Sequence, residues 1–268
     1  MLETLFGTNK PVIGVIHLLP LPGSCQWAGD LEEVFARAEQ EAVALSSGGV
    51  DAIVVENFFD APFAKGRVDV STACALTLAV KRIMSVTDLP IGVNVLRNDA
   101  LTALAVAVSS GAKFIRVNIL SGAMVTDQGI IESAARELHM YRRELMAKDT
   151  VKVFADVMVK HAYPLAMGYD IGQVAKDTVK RSLADAVIVS GVATGDAPSQ
   201  VDIENVRKAV PSTPILIGSG STHENVKGLL GVADGIIVAS SLKRQGVLEN
   251  PVDVERVRSL LNVVNAIR

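Results

Sequence analysis

Short runs rich in Val and Ile alternate along the chain with longer stretches of helical pattern. The short runs have strand length and the longer ones the periodicity of helices that bury one side, so the alternation predicts repeated βα units around a parallel sheet. Eight strands are predicted: Val12 to His17, Ala52 to Glu56, Ile91 to Leu96, Phe114 to Ile119, Lys152 to Val157, Ala186 to Ser190, Ile215 to Ile217 and Gly235 to Ala239. Helices are predicted over Leu31 to Leu45, Val70 to Val80, Asp99 to Ser109, Gly129 to Met146, Ile171 to Ser182 and Val254 to Asn265.

Eight βα units in 268 residues fit a (β/α)8 barrel, which needs about 250. The chain is therefore expected to be one barrel domain over residues 1–268. An open doubly wound sheet competes, but it opens with a Gly-rich turn after its first strand, where this chain has His17-Leu18-Leu19-Pro20. Several strands are entered through small and polar residues, as at Gly49-Val50-Asp51, Ser110-Gly111-Ala112-Lys113, Leu183-Ala184-Asp185 and Val232-Ala233-Asp234. A Gly that ends the preceding helix puts these turns on the barrel's lower face, where they serve stability. The chemistry is expected at the opposite end, above the strands' C-terminal residues.

Composition narrows the function classes. Apolar residues make up 49% and aromatics 4%, which suits an aliphatic core more than an aromatic ligand cage. The net charge of −3 and the lack of a Lys/Arg cluster argue against a nucleic-acid partner. Cys25 and Cys74 show no metal spacing and read as reduced thiols of a cytoplasmic protein. The apolar stretch from Val12 to Leu21 is too short to span a bilayer, so no transmembrane segment is expected. Self-association is expected from the high apolar content and from the sparsely charged helix over Val70 to Val80.

After the seventh predicted strand comes Gly218-Ser219-Gly220-Ser221-Thr222-His223-Glu224. Its glycines would let backbone approach an anion, and Ser221-x-x-Glu224 reads as a capping box opening a short helix. The eighth strand ends in Ala239 and Ser240, whose small side chains lie where the other half of a barrel phosphate site is expected. The pattern Ala233-Asp234-Gly235-Ile236-Ile237-Val238-Ala239-Ser240, preceded by Gly218-Ser219-Gly220, resembles the ribulose-phosphate-binding barrels. The segment Ser190-Gly191-Val192-Ala193-Thr194-Gly195 resembles the loop closing over phosphate in the tryptophan synthase α subunit. That resemblance implies phosphate ligands at Gly191, Gly195, Gly218, Ser219, Gly220, Ser221, Ala239 and Ser240. Ala239 departs from it, since many of those barrels have Gly there.

A resemblance covering essentially the whole chain is to the BtpA/SgcQ family. It rests on Pro11-Val12-Ile13-Gly14-Val15-Ile16-His17-Leu18-Leu19-Pro20-Leu21-Pro22-Gly23, on Val55-Glu56-Asn57-Phe58, on Gly92-Val93-Asn94-Val95-Leu96-Arg97-Asn98-Asp99 and on Phe114-Ile115-Arg116-Val117-Asn118. It implies the barrel fold. One branch of the family is associated with photosystem I biogenesis and another with bacterial sugar-uptake gene groups, so the family does not fix a reaction.

The ends of the first five predicted strands carry His17, Glu56, Asn57, Asn94, Arg116, Asn118 and Asp156. A barrel strand is covered on both faces, so such groups must be paired, hydrogen-bonded or used by a ligand. Glu56 and Asp156 are candidates for acid and base work, His17 titrates near neutrality, and Arg116 would hold an anionic or carbonyl oxygen. Asn94, Asn118 and Asn57 would orient substrate hydroxyls. The competing reading is an internal ion pair of Arg116 with Glu56 or Asp156.

No organic cofactor is predicted. His17, Glu56, Asp156 and His161 would suit a divalent metal by donor type, yet no HxH or HExxH spacing supports one. The sixth strand offers no Schiff-base lysine, and Lys160 lies beyond the fifth. His139 is expected on a solvated helix face and His223 at a helix start. The loop from Asn57 to Asp69 and the Trp27 loop are candidate covers. The expectation is an enzyme that acts on a phosphorylated sugar or related phosphometabolite by isomerisation, lyase chemistry or glycosidic cleavage. A non-catalytic assembly factor and a metal-dependent hydrolase are the alternatives.

Overall fold

The structure, a computed structural model, describes residues 1–165, 168, 170–191 and 195–268. The first half runs α1 (Leu2–Phe6), β1 (Val12–His17), α2 (Leu31–Gly48), β2 (Ala52–Glu56), α3 (Val70–Met84), β3 (Ile91–Asn94), α4 (Ala100–Ser110) and β4 (Phe114–Val117). An insertion follows, with β5 (Ala123–Thr126) and β6 (Gly129–Glu132), then α5 (Ala135–Glu144), β7 (Lys152–Val157) and β8 (Tyr163–Pro164). The rest is α6 (Ile171–Lys180), β9 (Ala186–Val189), α7 (Gln200–Ala209), β10 (Ile215–Ile217), α8 (Val226–Val232), β11 (Gly235–Val238) and α9 (Val254–Asn265).

β1, β2, β3, β4, β7, β9, β10 and β11 close in that order into a parallel barrel, the (β/α)8 fold expected from the sequence. The helices start where short polar side chains can cap them: the Asp30 carboxylate accepts from the amides of Glu32 and Glu33 at the head of α2, and Asp99, Asp170 and Asp253 cap α4, α6 and α9 similarly. On the lower face, Asp51 accepts from the Val12 amide, Asp185 from Val153 and Asp234 from Ile215. Each acidic entry residue thus satisfies a strand amide that has no ladder partner.

The core has two layers. Ile13, Val15, Ala52, Val54, Phe114 and Phe154 point into the barrel with Ala186, Ile188, Leu216 and Ile237. Phe114 and Phe154 stack with centroids 4.9 Å apart, and Phe6 of α1 meets both edge-on, closing the barrel's floor. The opposite strand faces pack Val, Ile and Leu against the helices.

The reading of Gly129 to Met146 as one helix is corrected. Residues 129–132 form β6, which pairs antiparallel with β5, while β5 also pairs with β8. This small sheet stands over the barrel mouth. Strands β3, β4, β9 and β11 end one or two residues before the positions expected. Among the described residues, no helix is long and apolar enough to cross a membrane.

Candidate functional site

Side chains alternate along a strand, so His17, Glu56, Asn94, Arg116 and Asp156 share the inward parity of the residues that fill the barrel. Register places four of them at one level, His17 pairing with Glu56, Glu56 with Asn94, and Asn94 with Arg116, while Asp156 lies two residues beyond Phe154, the partner of Arg116. All five are at most 5% exposed.

Arg116 is the hub. Its Nε and Nη2 donate to the two oxygens of Asp156, each at 2.9 Å, and its Nη1 donates to Glu56 Oε1 at 3.1 Å. Asn94 donates to the same Glu56 oxygen at 3.1 Å. Asp156 also accepts from Asn118 Nδ2 at 3.0 Å and from the Ser190 hydroxyl at 3.2 Å. His17 Nε2 lies 3.7 Å from Glu56 Oε2, and its ring stacks on Phe58 with centroids 4.4 Å apart. The internal ion pair weighed from the sequence is therefore formed, with both carboxylates on one arginine.

Charge states follow from this packing. Burial alone would raise the Glu56 carboxyl, but Arg116 and His17 outweigh it and hold it well below the usual carboxylate range. Burial opposes the charge of Arg116 as well, and the two carboxylates more than reverse the effect. Burial lowers the His17 imidazole despite Glu56 beside it, which favours the neutral ring at neutral pH. Two polar atoms of the group have no partner among the described residues: His17 Nδ1 and Asn118 Oδ1.

A cavity of about 600 Å³ opens above this floor. Glu56, Asn94, Arg116 and Asn118 line it, whereas His17 and Asp156 do not. His17 stacks on Phe58, which does line the cavity, and Asp156 is linked to the cavity through Arg116 and Asn118. Asn57 is not on the cavity wall. Its side chain joins loops instead, donating to Asp60 at 2.9 Å and accepting from the Leu96 amide at 2.7 Å.

Other residues line the cavity too. Lys160 and His161, weighed from the sequence as an imine-forming lysine and a metal donor, follow β7, whereas Arg97 after β3, Asp127 in the β5–β6 turn and Tyr163 of β8 were not anticipated. Arg97 is 5% exposed, its Nη2 donates to the Lys160 carbonyl at 2.7 Å, and its Nε has no partner among the described residues. Burial, then Arg116, lowers Lys160. Burial, then Lys160, lowers His161. The sequence hinted at Arg97 only through its place in the family-like segment, and at Lys160 through its distance from the fifth barrel strand. Phe58 and Phe63 of the Asn57 to Asp69 loop also form the wall, so one candidate cover does face the site.

The Gly218 to Ser221 turn lies beside the hub. A Cβ on Gly218 would fall 2.5 Å from the Ser190 hydroxyl and 3.4 Å from Arg116 Nη2. Gly220 has φ +71°, and a Cβ there would lie 2.1 Å from the Ala197 amide nitrogen, so the loop after β9 rests directly on the turn. Ser219 ties them together, accepting from the Gly191 amide at 3.2 Å and donating to the Asp196 carbonyl at 2.7 Å. Ala239 and Ser240 are half-buried nearby in chain order at the end of β11. Gly195 has φ +92°; Val192, Ala193 and Thr194 of the same expected loop lie outside the described residues.

The capping box is a correction. α8 begins only after Asn225, whose side chain accepts from the Thr222 amide at 2.8 Å, and the buried Ser221 hydroxyl has no partner among the described residues. His139 also differs from expectation, being half-buried with Nε2 2.8 Å from the Ser182 carbonyl. The metal reading does not fit the donors. Glu56 and Asp156 are both committed to Arg116, and among the described residues no three His, Cys, Asp or Glu side chains gather in a metal-binding group.

The fold is shared with solved barrels. The chain matches the structure of KGPDC from Streptococcus mutans with TM-score 0.58 and 13% identity, over 97% of this chain and 99% of that one. It matches N-(5'-phosphoribosyl)anthranilate isomerase from Pyrococcus furiosus with TM-score 0.57 and 14% identity, over 96% and 100%. At these identities the likeness concerns fold alone. Sequence relatives are nearer. A Synechocystis protein named photosystem I biogenesis protein BtpA is 52% identical over 97% of this chain and 89% of its own. The sgc region protein SgcQ of Escherichia coli is 34% identical over 100% and 98%. With the BtpA family model matching residues 8–266, the chain belongs to the BtpA family.

Proposed function

We propose that this protein is an enzyme acting on a phosphorylated sugar or related phosphometabolite, by isomerisation, lyase chemistry or glycosidic cleavage. The observation that carries the reading is the convergence of Glu56, Asn94, Arg116 and Asn118 on the floor of one cavity, beside a turn rich in Gly and Ser. Glu56 and Arg116 meet the reacting part of the substrate, and Asn94 and Asn118 orient its hydroxyls. The unpartnered Asn118 Oδ1 is a ready acceptor for one of them. Asp156 and His17 act through their neighbours, Asp156 by fixing the Arg116 fork and His17 by backing Glu56.

The phosphate belongs at the corner made by Gly218, Ser219, Gly220 and Ser221 with Ala239, Ser240, Gly191 and Gly195. Backbone amides and the unpartnered Ser221 hydroxyl are donors suited to a dianion. Self-association through α3 is part of the reading, since Val70 and Leu78 on it are 78% and 51% exposed.

The second reading is an assembly factor without catalysis, favoured by the name of the 52%-identical Synechocystis relative. A binder of other proteins does not require a buried charged floor beneath a small-molecule cavity, and this separates the two. A thermal-shift screen against sugar phosphates tests the choice, because a ligand that binds only the native state raises Tm by mass action. A rise with a phosphorylated sugar and none with its unphosphorylated parent supports the enzyme. No rise with any phosphorylated sugar favours the assembly factor.

A further inference from the structure

Lys160 is an amine on the cavity wall with no part in the ion-pair floor. It stands three residues beyond the end of β7, on the barrel's C-terminal side, and shares the cavity wall with Glu56, Asn94, Arg116 and Asn118. No hydrogen bond or ion pair to a described residue holds its ammonium. The two carboxylates that could neutralise it, Glu56 and Asp156, are both bound to Arg116. Its backbone, by contrast, is fixed through the carbonyl that accepts from Arg97.

Lys243 shows what a structural lysine looks like in this same chain. It is 1% exposed and donates to both oxygens of Glu41, at 2.7 and 2.6 Å. Lys160 has no such clamp, and it faces an open volume. Burial and the nearby Arg116 and Arg97 charges disfavour its protonated form, leaving more free amine at neutral pH. Phe58, Phe63, Leu96 and Tyr163 give the cavity apolar walls, which suits a reaction that expels water.

We propose that Lys160 is the nucleophile of this cavity and forms an imine with an aldehyde or ketone carbonyl of the substrate. The inference rests on the enzyme reading and narrows its substrate to a carbonyl-bearing phosphometabolite. In the step, the amine lone pair attacks the carbonyl carbon and the carbonyl electron pair moves onto oxygen. Both amine protons then leave with that oxygen as water, and a carbon–nitrogen double bond remains. A proton taken up from solvent by the imine nitrogen then gives the iminium, an electron sink for breaking or moving a bond next to the former carbonyl. The sixth strand's lack of a lysine therefore does not close this chemistry, because a residue beyond the fifth barrel strand reaches the same mouth.

Reductive trapping tests this directly. The intact protein is incubated with glycolaldehyde phosphate and sodium cyanoborohydride, and the modified lysines are mapped by mass spectrometry, with phosphate-free glycolaldehyde in parallel. The expected result is label concentrated on Lys160 over exposed lysines such as Lys65 and Lys148, and its loss in both Lys160→Met and Lys160→Arg, each checked for folding by circular dichroism. Label absent from Lys160, or spread evenly over exposed lysines, overturns the inference. If sugar phosphates raise Tm while Lys160 stays unlabelled, imine chemistry fails and the enzyme reading survives. Equal labelling of Lys160 by both probes supports the imine and counts against the phosphate corner.

Discussion

Arg116 grips Asp156 through two parallel hydrogen bonds, Nε to Oδ2 and Nη2 to Oδ1, both 2.9 Å long and both buried. The third donating nitrogen reaches Glu56, so two carboxylates taken out of water depend on one guanidinium. Removing one member of such a group leaves uncompensated buried charge, which costs about 3–5 kcal/mol. Arg116→Met is expected to lower the unfolding free energy by that amount in urea denaturation. Arg116→Lys should recover little of it, because an ammonium cannot make the parallel pair. A Met variant as stable as the parent would mean that these carboxylates do not rely on Arg116.

The same floor sets a pH dependence. His17 has a folded pKa below its ordinary 6.5, so the unfolded chain takes up its proton first as pH falls. Stability is then lost from about pH 6.5 downward until the folded pKa is passed. Glu56 has a folded pKa far below its ordinary value. Its contribution is complete above the unfolded pKa and disappears only under strong acid, as pH falls through the folded value. His139 and His161 are also lowered and add to the fall around neutrality. The expected result is a Tm that drops as pH falls from about 7 to about 5, with a shallower drop in His17→Gln. An unchanged slope in that variant would show that His17 is not held neutral by the fold.

The barrel was legible because a buried parallel strand reads as an aliphatic run whichever face is considered. The polar floor was legible for the same reason: Glu56, Asn94, Arg116 and Asp156 interrupt such runs. Which way they point could be settled only with the register, since Glu56 and Asn57 are adjacent and equally polar, yet one faces the cavity and the other ties loops. The antiparallel sheet was missed because β5 and β6 have four residues each and half-exposed faces, too short to show a period before the helical run of α5. The capping box failed at Ser221, where the sequence spacing is right but Asn225 supplies the local turn. Arg97 and Lys160 lie on loops, where no periodicity assigns direction.

Outside the cavity, Glu41 and Lys243 join α2 to the segment after β11 as a pair 1% exposed on each side. Lys243→Met leaves Glu41 buried with Arg37 as its remaining ion partner, and should cost several kcal/mol, about 3–5. The double variant Glu41→Leu with Lys243→Met should recover most of the loss, since no charge is then stranded. Both are read by urea denaturation. A double variant no better than the single would mean that packing at this joint matters more than charge.

The phosphate corner calls for a substitution that spares the fold, and Gly220 is the wrong place for it. Any side chain there meets the Ala197 backbone in a left-handed conformation, so loss of binding in Gly220→Asp could not be told from loss of the loop's seat. Ser221 is better. Its hydroxyl is buried and unpartnered among the described residues, so Ser221→Ala removes a group that contributes no internal hydrogen bond, and Tm should stay level or rise slightly. If that hydroxyl meets a charged phosphate oxygen, its loss is worth roughly 1.5 kcal/mol, or about tenfold in Kd. Titration calorimetry with the sugar phosphate that gives the largest thermal shift reads this out. A stable Ser221→Ala protein with undiminished affinity would put the phosphate away from this turn, with Arg97 and Lys160 on the cavity wall as cations that could receive it.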